Sequence, residues 1–84
     1  MTTPAEVNNA QIAEWRATRY PYKRIAAAIA EWAITQERGA LLPGNEFFAG
    51  NLDFVASVGT WKNARAFLAA TGVLYRNDGP YQVS

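Results

Sequence analysis

Between Pro21 and Gly39 the chain carries its most restrictive pattern. Ile25, Ala28, Ile29 and Trp32 recur at i, i+3, i+4 and i+7, one apolar stripe of a helix with 3.6 residues per turn. The run Ala26-Ala27-Ala28 adds intrinsic helix propensity. Proline fits a first helical turn and excludes its predecessor from helical geometry. The pattern therefore predicts a helix over residues 22–36, with Gly39 as its C-terminal stop. Such a stripe must be buried against other elements, and a chain of 84 residues has little to bury it with. With half of its residues hydrophobic the chain is too apolar for a disordered tail, so a small packed domain is expected.

The remaining elements follow from local signals. Residues 5–18 read as a first helix in which Val7, Ile12 and Trp15 carry the apolar character, and residues 1–20 form an N-terminal helical extension to a core over 22–83. Leu42-Pro43-Gly44-Asn45 reads as a turn. Asn51 is placed to cap a short helix over 52–58, Gly59 breaks it, Thr60 caps a further helix over 61–71, and Gly72 closes that one. Two short helices around a glycine turn are the centre of a helix-turn-helix. Val73-Leu74-Tyr75-Arg76 and Pro80-Tyr81-Gln82-Val83 flank Asn77-Asp78-Gly79, a hairpin signal in which Pro80 marks an edge strand. The expected fold is mostly α with a small β-hairpin: one winged helix-turn-helix domain over 1–84, with three to four helices and a C-terminal two-stranded wing over 73–83.

Composition narrows the function classes. There is no Cys and no His, the two Asp lie on different elements, and the Glu residues are dispersed, so neither a convergent acid–base site nor a metal-ligand spacing is formed. No enzyme activity, metal or cofactor is expected. Met1-Thr2-Thr3-Pro4-Ala5-Glu6 lacks the basic and apolar regions of a signal peptide, and no apolar run is long enough to cross a bilayer. The expected location is the cytoplasm, on the nucleoid if DNA is bound. Net charge is only +1, but the charges are segregated. Arg16, Arg19, Lys23 and Arg24 form one acid-free stretch, Lys62, Arg65 and Arg76 another, and Glu31, Glu37, Glu46 and Asp53 fall between them. One basic and one acidic face can steer a small protein onto a phosphate backbone.

The stretch Tyr22-Lys23-Arg24-Ile25-Ala26-Ala27-Ala28-Ile29, then Gly39, Leu42-Pro43-Gly44 and Phe47, resembles the opening of the DNA-binding domain of GntR-type bacterial regulators. Trp61, Ala64, Leu68 and Gly72-Val73-Leu74 are similar to that family's recognition helix and its exit into the wing. The family's usual phosphate and base contacts are only partly represented, by Thr60, Trp61 and Lys62, and its Pro-Ser-Glu helix start is replaced by Phe48-Ala49-Gly50. From Pro43 to Gly72 the chain is shorter than the family pattern, so a compressed second helix is expected. The resemblance implies a stand-alone DNA-binding domain without the family's effector domain, and hence no small-molecule effector.

On a helix of ~100° per residue, Trp61, Ala64, Phe67 and Leu68 form one arc, Lys62, Asn63, Ala66, Ala69 and Ala70 the other, and Arg65 falls on the boundary. A face of Lys, Asn and three Ala suits close approach to a major groove, with the recognition helix spanning about 60–71. Lys62 and Asn63 are the candidate base readers, and Lys23, Arg24, Thr60 and Arg65 the candidate backbone contacts. Arg76 and Asn77 are placed at the wing tip, to meet flanking phosphates or the minor groove. Arg16 and Arg19 read equally as a basic arm or as solvated surface charge. The sequence thus points to a sequence-specific double-stranded DNA binder, a small repressor or other regulator of bacterial, phage or plasmid origin, acting as a homodimer or by cooperative assembly. A protein-interaction module of the same fold is the alternative. The N-terminal extension, with Ile12 and Trp15, either supports self-association or thickens the core.

Overall fold

A computed structural model describes residues 7–84, so the start of the first helix expected at residues 5 and 6 lies outside the described residues. Four helices and a two-stranded antiparallel hairpin follow in chain order: α1 (Asn9–Ala17), α2 (Pro21–Ala33), α3 (Asn45–Ala49), α4 (Val58–Ala70), β1 (Leu74–Tyr75) and β2 (Gln82–Val83).

Asn8 caps α1, its Oδ1 accepting from the Gln11 backbone N–H at 2.8 Å. Thr18 closes it, donating its hydroxyl to the Trp15 carbonyl. Val7, Ile12 and Trp15 all enter the common core. The N-terminal segment thus thickens the core, with Ile12 and Trp15 almost fully buried in it.

Pro21 takes the first position of α2, where its missing N–H costs nothing. This helix ends at Ala33 with Ile34 as its C-cap, short of the expected residue 36 and of Gly39. Its buried arc is also turned from the expected stripe. Ile25 and Ile29 lie inside, but they are accompanied by Ala26, Ala27, Ala30 and Ala33, all fully buried, while Ala28 and Trp32 sit at the margin. The reason is steric: α1 and α4 both pack on α2, and alanine lets two neighbours approach one helix closely. α2 is thus the central helix.

The middle of the chain differs most from expectation. The turn expected at 42–45 instead leads into α3, with Gly44 at the N-cap, and α3 buries Phe48. No helix forms over 52–58, so Asn51 caps nothing; residues 50–57 are an irregular connection, longer than a tight helix-turn-helix turn. α4 starts at Val58 and runs through Gly59, which does not break it. Ser57, not Thr60, is the cap, with its Oγ accepting from the Thr60 N–H at 3.2 Å. At the other end Gly72 adopts a left-handed conformation (φ 85°). Its N–H donates to Ala69 and that of Val73 to Leu68, and both Val73 and Leu68 are fully buried, which completes a Schellman closure.

In the hairpin Leu74 pairs with Val83 and Tyr75 with Gln82. The connection over 76–81 is wider than an Asp-Gly two-residue turn, and its left-handed residue is Asp78 (φ 61°). A strap over residues 39–42 lies along the other side of β2. Gly39 N–H donates to Val83 O at 2.7 Å, Val83 N–H to Ala40 O at 2.8 Å and Leu42 N–H to Tyr81 O at 3.0 Å. Gly39 (φ 89°) makes the bend that allows this, so its left-handed backbone serves the strap and not the end of α2.

Candidate nucleic-acid interface

The two arcs of α4 are occupied as its sequence dictates. Trp61, Ala64 and Leu68 are buried, Phe67 is half-buried, and Lys62, Asn63, Ala66, Ala69 and Ala70 are exposed. Lys62 and Asn63 stand one turn in from the start of the helix and, among the described residues, enter no hydrogen bond or ion pair. Gly59 precedes them and Ala66 follows, which keeps the middle of this face low. No acidic side chain occurs anywhere on α4.

The other candidate contacts divide into engaged and open groups. Thr60 turns toward the cap, its Oγ1 lying 3.0 Å from Ser57 Oγ. Arg65 donates from Nη1 to Asn45 Oδ1 at 2.6 Å in a partly buried contact that ties α4 to the head of α3. Arg24 donates to Asp53 Oδ1 at 2.6 Å and stacks 4.7 Å from the Phe54 ring centroid. Arg16 pairs in the same way with Glu31, at 2.6 Å. These two ion pairs border a cleft of about 470 Å³ on one side of α2. Both include well-exposed carboxylates, and such pairs contribute at most about 1 kcal/mol.

Toward α4 the picture reverses. Lys23 places its ammonium 5.6 Å from the Tyr20 ring centroid and 5.7 Å from that of Phe67, and Arg19 lies 5.8 Å from Tyr20. Neither cation has a carboxylate partner among the described residues. Phe67 follows Asn63 by one turn of α4, so Lys23 flanks the open face. The segregation seen in the sequence is therefore finer in three dimensions. Acids from distant segments neutralise Arg16 and Arg24, whereas Arg19, Lys23 and Lys62 keep their charge.

In the hairpin connection Arg76 stacks on Tyr81, 5.1 Å from its centroid, and Asn77 is exposed. Two features had no place in the sequence reading. Tyr20, half-exposed, organises Arg19 and Lys23; its signal is the interleaving of bases and aromatics in Arg19-Tyr20-Pro21-Tyr22-Lys23-Arg24. Val58, at the first turn of α4, is 77% exposed, a position the sequence assigned to the helix expected over 52–58. Beside α4, an apolar groove of about 490 Å³ runs along Leu52, Phe54, Ala56 and Trp61 to the fully exposed Val55. Among the described residues no helix is long and apolar enough to cross a membrane. Comparison with family models, curated proteins and solved structures finds no match for this chain.

Proposed function

We propose that the chain is a GntR-like winged helix-turn-helix domain that binds double-stranded DNA, with α4 in the major groove and the hairpin as its wing. In this reading α2, α3 and α4 form the three-helix unit, and the strap over 39–42 completes a small sheet with the hairpin, as a wing requires. The observation that carries it is the open face of α4: an acid-free helix surface that presents Lys62 and Asn63, with Lys23 at its edge and no carboxylate partner for that lysine among the described residues. Lys62 donates to guanine edges or to phosphate, Asn63 pairs with adenine, and Lys23 and Arg19 hold the backbone alongside. Arg76 and Asn77 meet flanking phosphates. Arg24 joins them if a phosphate displaces Asp53, whereas Thr60 and Arg65 act by holding α4 in place. One module supplies few base contacts, so two copies on repeated half-sites are expected. Regulation of transcription, without catalysis, is the matching role.

The second reading, a protein-docking module, draws its support from the apolar groove beside Val55. Selection of duplexes from a random pool at two salt concentrations separates the two. DNA binding predicts recovered duplexes whose affinity falls by about 0.9 log units per log unit of salt for each phosphate contacted. Asn63→Ala should relax the preference at one base position, and Lys23→Ala should weaken all duplexes alike. No duplex retained at low salt rejects the reading.

A further inference from the structure

We propose that Val58 reads the C5 methyl group of a thymine, so that the preferred duplex carries a T·A pair under the first turn of α4. This rests on the DNA-binding reading and adds to it the base chemistry of the site. Val58 opens the helix, is 77% exposed and takes no part in the core. A first turn in water favours Ser, Thr, Asp or Glu, which satisfy or complement the free backbone N–H groups. Valine does neither, and as a β-branched residue it is a weak helix former. Its neighbour Gly59 has no side chain, so the isopropyl group stands clear of the helix surface.

Position then decides what it meets. Val58 lies one turn before Lys62 on the same edge of α4, and Asn63 lies across the face. A thymine–adenine pair shows, on its major-groove edge, a methyl group and an acceptor from thymine and a donor–acceptor pair from adenine. An apolar knob, an ammonium and a carboxamide on one helix face match these groups in kind. The occupant is anionic, because the face has no acid and is flanked by Lys23, which has no carboxylate partner among the described residues. That complementarity favours a duplex over the apolar surface of another protein.

The experiment uses the full chain and its best selected duplex, with each thymine replaced in turn by uracil, which removes the methyl group and nothing else. One thymine should be found whose replacement weakens binding about four-fold, the loss of one buried methyl group. Val58→Ala should weaken the thymine duplex to a similar extent and bind the uracil duplex no worse. Its melting temperature, measured alongside, should be no lower than that of the unaltered protein, since the side chain is exposed and alanine is the better helix former. A duplex indifferent to every uracil, or a uracil effect that survives Val58→Ala, overturns the methyl contact while leaving DNA binding intact. Absence of any duplex binding by the unaltered protein at low salt overturns both.

Discussion

α2 and α4 are each thirteen residues long and rich in alanine, yet they use that residue in opposite ways. In α2, Ala26, Ala27, Ala30 and Ala33 are fully buried and let α1 and α4 close in on a central helix. In α4, only Ala64 is buried; Ala66, Ala69 and Ala70 face outward and keep a surface low enough for another molecule to approach. Length is the same and the alanine content nearly so. What separates them is the number of neighbours, and therefore how much of the circumference is available for function.

The comparison can be broken or sharpened in order of expected effect. Ile29→Ala, which empties the centre of the α2 interface, should cost about 2–5 kcal/mol in urea unfolding. A loss below about 1 kcal/mol would remove α2 from the centre of the fold. Next, leucine is placed at one alanine of each helix. Ala30→Leu overpacks the core and should destabilise by about 1–3 kcal/mol, whereas Ala66→Leu should change stability by no more than about 0.5 kcal/mol. Equal losses in the two would erase the distinction. In a duplex-binding assay the order should invert, with Ala66→Leu obstructing the groove. The smallest effect is at the start of α4, where Ser57→Ala should lower stability by about 1 kcal/mol through loss of the cap. If Thr60→Ala costs more than Ser57→Ala, the helix start lies where the sequence had placed it.

How much of this was legible depended on how local the cause was. The two arcs of α4 could be read directly, because Trp61, Ala64 and Leu68 recur at helical spacing opposite Lys62 and Asn63. The arc of α2 could not. Size drew attention to Trp32, while burial followed small residues flanked on two sides, which only the tertiary arrangement reveals. α3 was missed and the start of α4 misplaced for a similar reason. Gly44 offers no capping side chain, and Ser57 and Thr60 are both cap-forming types sharing one hydrogen bond. The engaged states of Arg24 and Arg65 depend on partners 29 and 20 residues away, Asp53 and Asn45, which no periodicity signals.

The strap that Gly39 bends against β2 also bears on the order in which the molecule assembles. α1 meets α2 across a short connection, so that pair needs little loop closure to form. Val83 bonds Gly39 and Ala40, more than forty positions back along the chain, so closing this contact costs more loop-closure entropy than joining α1 to α2. The last strand therefore behaves as a latch. It fastens the 39–42 strap to the hairpin while burying Val83 completely, so releasing it exposes core surface and is coupled to the unfolding of the domain as a whole.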